Sequence, residues 1–411
     1  MKNFKVYILA GGLGTRLSHI IKDVPKPMAP VSEIPFLEWQ IRWLERQNFK
    51  DIVLLVGHQK EKIIKYFQDG SSFGVKINYS LEDSLLGTGG AVIKALKEYS
   101  SKNFIILNGD TFFDIDLKWM TKYYTKRKEN SIYIALKYKE DTKRYGYVEI
   151  DGKYNVKQFV EKNNDLGDGY INGGIYIGNS NLLKNREIQN CSMEKDIFPS
   201  LLSMKKLKAI PFGNRFIDIG IPEDYAYANQ SLKKWFYEPK TKALFLDRDG
   251  IIIEDTGYVS KIEEVKILKE IFPLIKEANQ KNYKVIVITN QAGVAKGKMT
   301  ISEVERINNL IKNNLEKENL WIDEFFYCPF HKDGTIALYQ KESLLRKPFP
   351  GMILQACDQY NIDINQSIMI GDKDSDLIEL PYLKSYLIQG RYEIKSKEFL
   401  SDFNLLMNKI E

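Results

Sequence analysis

The chain has 411 residues, of which 44% are hydrophobic and 28% charged, and its formal net charge is +6. This composition excludes a disordered, collagen-like or disulfide-stapled chain. The two signs of charge are mixed along the chain, so we expect neither nucleic acid nor a membrane as a partner. No apolar run approaches the roughly 20 residues of a membrane span, and the first residues do not form a signal peptide, so we expect a cytoplasmic protein.

The length predicts two or three domains, and an α/β pattern begins twice along the chain. An apolar run at 6–10 leads into a glycine-rich turn, and a second run at 243–247 leads into the sequence DRDG. The predicted domains are 1–236 and 243–411, joined by a linker at 237–242.

Helix-like and strand-like runs alternate in both predicted domains. The predicted strands lie at 6–10, 51–57, 103–110, 243–247, 283–290, 325–329, 367–372 and 385–388. The predicted helices lie at 34–47, 89–99, 271–282 and 301–318. Alternation at this spacing predicts the α/β fold class, with βαβ units and mostly parallel sheets in two domains. Ligands of such sheets bind beyond the carboxyl ends of the strands.

Two glycine-rich loops in the first domain predict a nucleotide site. The first, LAGGLGTRL at 9–17, follows the first strand, and the second, LGTGGA, covers 86–91. Glycines permit close backbone approach, and successive N–H groups bind anions. The first loop matches neither GxGxxG nor a P-loop, and a plain tight turn would explain any one glycine. The candidate nucleotide-binding residues are Leu9, Gly11, Gly12, Gly14, Thr15, Gly87 and Gly89.

Charged residues near these loops suit a metal-bound triphosphate. Arg16 and Lys26 can neutralise phosphate charge, although a lone lysine is usually only a solvated charge. Asp110 and Asp218 each end an apolar run, where carboxylates are candidate Mg²⁺ ligands.

Residues 3–236 resemble the sugar-phosphate nucleotidyltransferases. The motifs GGLGTRL, KPM, LGTGGA, NGD, EK, NGGIY and DIGIPEDY occur in the family's order. The resemblance implies a Rossmann-like domain with a mixed, mostly parallel sheet. It also implies that a sugar 1-phosphate attacks the α-phosphate of a nucleotide and releases pyrophosphate.

The same resemblance implies roles for particular residues. Arg16 and Lys26 would neutralise the triphosphate, and Asp110 and Asp218 would hold Mg²⁺. The sugar and its phosphate would be bound by Asn108, Glu161, Lys162 and Asn172. Asn163 stands where the family often has proline. Within the family, the first domain is most similar to heptose 1-phosphate guanylyltransferases, which implies GTP; a hexose 1-phosphate or another base stays open.

The second domain carries paired aspartates at the end of its first strand. Asp247 and Asp249 are two residues apart, so in a strand both side chains point to one face. One carboxylate can attack phosphorus, and the other can donate and accept a proton. Further along the chain, the Thr289 hydroxyl can bind a phosphoryl oxygen, and Lys347 can neutralise negative charge. Asp372, with Asp376 beyond it, can complete a Mg²⁺ site.

This pattern resembles the haloacid dehalogenase superfamily of phosphatases over about 243–395. The resemblance implies that Asp247 is the nucleophile and forms an aspartyl-phosphate, with Asp249 as general acid and base. Asp247, the Asp249 carbonyl and Asp372 would hold Mg²⁺. The motifs GYV, TNQAGVAKG, YCPFH and RKPFPGM are most similar to heptose 1,7-bisphosphate phosphatases, close relatives of the histidinol phosphatases. Asn290, Arg346 and Lys347 would then lie at the substrate.

A zinc loop common in those phosphatases is incomplete here. Cys328 is present, but Phe330, Ser343 and Leu345 stand where a histidine and two cysteines are expected. Structural zinc normally takes four N or S ligands, so we expect no Zn²⁺ and a loop held by apolar packing.

Together the two domains predict a bifunctional enzyme of nucleotide-heptose synthesis for polysaccharide biosynthesis. Its substrates would be sugar phosphates and a nucleoside triphosphate, with Mg²⁺ in both domains; the sequence neither requires nor excludes a homo-oligomer. The alternative is a hexose 1-phosphate nucleotidyltransferase fused to a phosphatase of another small ester, such as histidinol phosphate. A regulatory protein with one inactive domain is disfavoured by the intact candidate residues.

Overall fold

The computed structural model describes residues 4–12, 21, 24–82, 84–142, 145–160, 167–390, 394 and 410, and the backbone of 399–400. The chain divides into two compact units, residues 1–238 and 239–411. The exact domain bounds and the linker at 237–242 remain predictions. No helix in the described ranges is long and apolar enough to cross a membrane.

The first unit begins with the predicted strand and continues as an alternation of strands and helices. Its strands are β1 (Phe4–Leu9), β2 (Pro30–Val31), β3 (Ile34–Pro35), β4 (Asp51–Val56), β5 (Lys76–Leu81), β6 (Asn103–Asn108), β7 (Thr111–Phe113), β8 (Ile132–Lys139), β9 (Tyr147–Ile150), β10 (Val156–Val160), β11 (Gly169–Asn179), β12 (Leu207–Phe212) and β13 (Phe216–Asp218). Its helices are α1 (Phe36–Arg46), α2 (Lys60–Phe67), α3 (Gly87–Glu98), α4 (Leu117–Arg127), α5 (Phe198–Ser203) and α6 (Pro222–Tyr237).

Nine of these strands form one mixed sheet. Its main path runs β10-β9-β11-β6-β1-β4-β5, with β8 paired to β11 and β12 paired to β8. The strands that follow the βαβ pattern, β6-β1-β4-β5, are parallel, whereas β11 is antiparallel to its neighbours. Apolar runs such as Ile52–Val56 are buried, as expected for strands covered on both faces. The carboxyl ends of β1 and β6 are adjacent, which brings Leu9, Gly11 and Gly12 beside Asp110.

The second unit repeats the alternation with a smaller sheet. Its strands are β14 (Ala243–Leu246), β15 (Lys284–Asn290), β16 (Glu324–Cys328), β17 (Ile368–Gly371), β18 (Lys384–Ile388) and β19 (Phe399–Leu400). Its helices are α7 (Phe272–Gln280), α8 (Ala292–Ala295), α9 (Ile301–Lys317) and α10 (Gly351–Tyr360).

All pairings in this second sheet are parallel, in the order β16-β15-β14-β17-β18-β19. Strand β14 is wholly buried and lies between β15 and β17. Helix α9 begins with a capping box, in which Thr300 and Glu303 exchange hydrogen bonds. The fold class predicted from the sequence is therefore confirmed, and the ends of β14, β15 and β17 meet at one edge.

Candidate active sites

The first candidate site is a cleft of about 440 Å³ at the carboxyl edge of the mixed sheet. Seven of the predicted residues line it: Leu9, Gly11, Gly12, Lys26, Gly87, Asn108 and Asp110. Asp218 lies beside the cleft, because β13 pairs with β7 directly after Asp110. The tertiary fold thus gathers residues that are more than 200 positions apart in the chain.

Lys26 faces both carboxylates that were predicted to hold a metal. Its Nζ lies 2.5 Å from Asp110 Oδ2 and 4.0 Å from Asp218 Oδ1. Prolines 25 and 27 flank it in a short 3₁₀ turn and limit its backbone. Burial raises the pKa of the Asp218 carboxyl to about 7, Asp110 adds to the rise, and Lys26 opposes it. A nearby cation would therefore favour the ionised form of this carboxylate pair.

Two predicted residues have other contacts in the first unit. The N–H of Gly89 donates to the carbonyl of Cys191, so this glycine packs against the chain next to the cleft. The Asn172 amide donates to the hydroxyl of Tyr176 at 2.8 Å. The predicted residues Gly14, Thr15, Arg16, Glu161 and Lys162 lie outside the described residues.

Glu82 is a lining residue that the sequence reasoning missed. It follows β5 and faces Gly11, where an added Cβ would lie 2.7 Å from its Oε1. Burial raises the pKa of this carboxyl, while Lys94 acts to lower it. Its place shortly before the second glycine loop was the only sequence signal that could have indicated it.

The second candidate site is a cavity of about 390 Å³ at the ends of β14 and β15. Its lining includes six predicted residues: Asp247, Asp249, Thr289, Asn290, Arg346 and Lys347. Asn290 is bonded to the backbone of Lys347 in both directions, through its Nδ2 at 3.1 Å and its Oδ1 at 3.0 Å. This pair of bonds connects the end of β15 to the loop that carries Arg346 and Lys347.

Lys347 is buried between two carboxylates. Its Nζ lies 2.7 Å from Asp247 Oδ1 and 2.6 Å from Asp376 Oδ1. Burial acts to lower the pKa of this ammonium, but Asp247 and Asp376 outweigh burial and raise it. Lys347 therefore stays charged beside the proposed nucleophile.

Three carboxylates of the second unit lie close enough to share one metal ion. Asp247, Asp372 and Asp376 can each offer an oxygen within 4.8 Å of the others. Burial raises the pKa of the Asp372 carboxyl to about 7, with Asp247 and Asp376 contributing and Lys373 opposing. Gly250 allows this approach: its φ is +95°, and an added Cβ would lie 2.2 Å from Asp372 Oδ2.

The loop with the incomplete zinc pattern is packed through aromatic side chains. Cys328 is buried at the end of β16. The ring of Phe330 lies 6.1 Å from that of Tyr339, and the Lys341 ammonium lies 4.2 Å from the Phe330 ring centre. The absence of Zn²⁺ remains a prediction.

Comparisons with known proteins find a separate family match in each part of the chain. The nucleotidyl transferase family matches residues 5–234, and the polynucleotide kinase 3 phosphatase family matches residues 242–398. A D-glycero-alpha-D-manno-heptose 1-phosphate guanylyltransferase from Campylobacter jejuni is 46% identical over 222 residues, which are 53% of this chain and 95% of that protein.

A curated relative of the second unit and a solved structure extend the comparison. A D-glycero-alpha-D-manno-heptose-1,7-bisphosphate 7-phosphatase from Burkholderia mallei is 42% identical over 138 residues, covering 34% of this chain and 73% of that protein. The crystal structure of HddC from Yersinia pseudotuberculosis matches with a TM-score of 0.51 and 36% identity, covering 56% of this chain and 99% of that one. The chain therefore belongs to the nucleotidyl transferase family through its first unit and to the family of the heptose-bisphosphate phosphatases through its second.

Proposed function

We propose that this chain is a bifunctional enzyme that makes GDP-activated heptose from D-glycero-D-manno-heptose 1,7-bisphosphate. The second unit removes the 7-phosphate, and the first unit transfers GMP from GTP to the resulting heptose 1-phosphate. One observation carries the proposal: each unit has a candidate site, and the relatives of the two units are named for reactions on heptose 1,7-bisphosphate and on heptose 1-phosphate. The product of one reaction is then the substrate of the other.

The phosphatase reaction would proceed through a covalent intermediate on Asp247. A carboxylate oxygen of Asp247 attacks the phosphorus of the 7-phosphate, and the bond from phosphorus to the sugar oxygen breaks. Asp249, which enters this step in its protonated form, gives its proton to that oxygen. Water then attacks the phosphorus of the aspartyl-phosphate and gives a proton to Asp249. The bond from phosphorus to the Asp247 oxygen breaks, which restores the carboxylate and releases inorganic phosphate. Lys347, 2.7 Å from Asp247, compensates the charge of the phosphoryl group, and the Thr289 hydroxyl donates to one of its oxygens.

The transferase reaction requires positioning and charge neutralisation. An oxygen of the sugar 1-phosphate attacks the α-phosphorus of GTP, the α–β phosphoanhydride bond breaks, and pyrophosphate leaves. Arg16 and Lys26 would face the triphosphate, while Glu161, Lys162, Asn108 and Asn172 would bind the sugar phosphate. This division of work is typical of phosphoryl-type transfer, in which the protein supplies little covalent chemistry.

Buried carboxylate oxygens in both sites suit a Mg²⁺ ion. Both carboxylate oxygens of Asp372 and the Oδ1 of Asp218 are buried without a hydrogen-bond partner. A buried unpaired carboxylate is costly, and oxygen ligands of this kind suit a hard divalent cation. Asp247, the Asp249 carbonyl and Asp372 would hold the ion in the second unit, and Asp110 and Asp218 in the first. The ion would supply charge stabilisation to the transferring phosphorus group.

Glu82 supports guanine as the base. Among the common bases, guanine presents an N1–H and an N2 amino group side by side, and a carboxylate can accept from both. Uracil offers one ring N–H, and adenine and cytosine offer an amino group beside a ring acceptor. A carboxylate at this place in the cleft therefore favours GTP over the other nucleotides. Because GTP is a cytoplasmic metabolite, we also place the enzyme in the cytoplasm.

Mass spectrometry of one set of reactions tests both activities. The protein is incubated with heptose 1,7-bisphosphate, Mg²⁺ and each of GTP, ATP, CTP and UTP. A GDP-heptose product with GTP alone is expected. Heptose 1-phosphate without a nucleotide sugar would support the phosphatase and contradict the transferase assignment. No turnover of heptose bisphosphate, with turnover of a hexose 1-phosphate, would overturn the heptose assignment.

A further inference from the structure

Arg248 lies between the two aspartates of the second site and is fully buried, with 0% of its surface exposed. Its backbone N–H donates to Asp247 Oδ1 at 2.8 Å, while its side chain turns to the other aspartate. A fully buried guanidinium needs a strong local reason, because removing it from water is costly.

The guanidinium and one amide hold the Asp249 carboxylate. Arg248 Nε and Nη2 lie 3.2 and 3.1 Å from Asp249 Oδ1, and Nη2 lies 3.2 Å from Oδ2. Gln291 donates to the same Oδ2 at 2.8 Å and also to Thr289. Both oxygens of Asp249 are therefore bonded to donors, which define its rotamer at the cavity wall.

The other end of the guanidinium is anchored by a polar residue in an apolar place. Arg248 Nη1 donates to Asn308 Oδ1 at 3.0 Å. Asn308 lies on helix α9 and is only 5% exposed. The other buried residues of that helix are Val304, Ile307, Ile311 and Leu315, so an asparagine interrupts an otherwise apolar stripe.

We infer that Arg248, anchored by Asn308, is a positioning residue that aims Asp249 at the leaving oxygen of the substrate. The inference rests on the proposed phosphatase function and goes beyond it. Asp249 must protonate the departing sugar oxygen, and proton transfer requires the two oxygens to be within hydrogen-bond distance. An arginine fork fixes the carboxylate plane, as a single point charge could not. Packing does not require such a pair, since apolar residues often stabilise a core as well as a buried ion pair.

The test exploits the leaving group. A sugar alkoxide needs a proton to depart, whereas p-nitrophenolate departs readily without one. The measured quantity is kcat/KM, which reports the steps up to loss of the leaving group. It is determined for heptose 1,7-bisphosphate and for p-nitrophenyl phosphate with the full-length wild type, Asn308→Ala and Arg248→Lys. Asn309→Ala is the matched control, since Asn309 is the exposed neighbour on the same helix.

For Asn308→Ala we expect kcat/KM to fall by about tenfold or more with the heptose substrate and by less than about threefold with p-nitrophenyl phosphate. Arg248→Lys should show the same selectivity, and Asn309→Ala should match the wild type. If Arg248→Lys does not fold, Asn308→Ala alone decides. An equal loss on both substrates, or no loss, would overturn the inference. A wild type that hydrolyses neither substrate would instead overturn the phosphatase function itself.

Discussion

Two buried carboxyl groups, one in each unit, have the same electrostatic features. Asp218 and Asp372 lie in different sheets, yet burial raises the pKa of each to about 7, and a lysine opposes the rise in both cases. Each also has at least one buried oxygen without a hydrogen-bond partner. In both sites, burial therefore makes a carboxyl hold its proton more tightly than a free one, and a bound cation would favour its ionised form.

Replacing Asp247 by asparagine should separate the two activities. The amide cannot form the aspartyl-phosphate, so release of inorganic phosphate should fall by at least about a thousandfold. Nucleotidyl transfer from GTP to heptose 1-phosphate should stay within about twofold of the wild type. Phosphate release and pyrophosphate release are measured on the same preparation. A parallel loss of both activities would contradict two independent sites.

Replacing Glu82 by glutamine should weaken selection of the base. The amide accepts at one atom and donates at the other, so it cannot accept from both donors of guanine. We expect kcat/KM for GTP to fall by about 10- to 100-fold, in proportion to one or two lost hydrogen bonds of about 1.5 kcal/mol. The value for ATP should change little. An equal loss for GTP and ATP would contradict base recognition by Glu82. Asp69→Asn, at an exposed acid of the same unit, is the control.

The beginning of helix α3 shows how an element depends on backbone contact. Gly89 and Gly90 both donate to the carbonyl of Cys191, which lies about 100 positions later in the chain. A Cβ at Gly90 would lie 2.2 Å from the carbonyl oxygen of Gln189. The second glycine loop therefore lines the cleft and also packs the start of α3 against the segment 189–191.

Gly90→Ala should destabilise the protein although alanine favours helices. The substitution gains about 1 kcal/mol of helix propensity, but overpacking against a backbone oxygen costs about 1–3 kcal/mol. Because the contact is with backbone and cannot relax cheaply, we expect a net loss of up to about 2 kcal/mol in the free energy of unfolding, measured by urea denaturation. Gly167→Ala, at an exposed residue with no neighbour within 4 Å of the added Cβ, should change it by less than about 0.5 kcal/mol. A more stable Gly90→Ala variant would show that the segment at 189–191 yields easily.

For the whole molecule, the raised pKa values couple stability to pH and metal. A carboxyl whose pKa rises from about 4 in the unfolded chain to about 7 holds its proton more tightly when folded. Without metal, the contribution of Asp218 and Asp372 to stability therefore falls as pH rises from about 4 to about 7, and then levels off. Mg²⁺ binds the ionised form, so its stabilising effect should grow over the same range.

We expect Mg²⁺ to raise Tm more at pH 8 than at pH 6. A concentration near 100 times Kd corresponds to about 2.7 kcal/mol of stabilisation at the higher pH. The measurement is differential scanning calorimetry with MgCl₂ against NaCl of the same ionic strength. Equal shifts at both pH values would contradict the link between the buried carboxylates and the metal.

Much of this protein follows from sequence. Apolar runs of strand length alternate with amphipathic runs along the chain. This alternation predicted the α/β class and the places of the strands and helices named from the sequence, because periodicity is a local property. Motif order indicated both families, which the comparisons confirmed. The roles of the individual site residues remain predictions, including those of Arg16 and Lys162 outside the described residues.

Tertiary structure decided the contacts that no local pattern encodes. Strand β11 extends the first sheet by pairing with β6, which lies about 70 positions earlier in the chain. Glu82 joins the cleft because β5 ends beside Gly11. Asn308 contacts Arg248, 60 positions earlier in the chain, because helix α9 packs against the second sheet. Local periodicity determines which segments form helices and strands. Long-range strand pairing and packing determine which side chains come into contact, and the sites consist of those contacts.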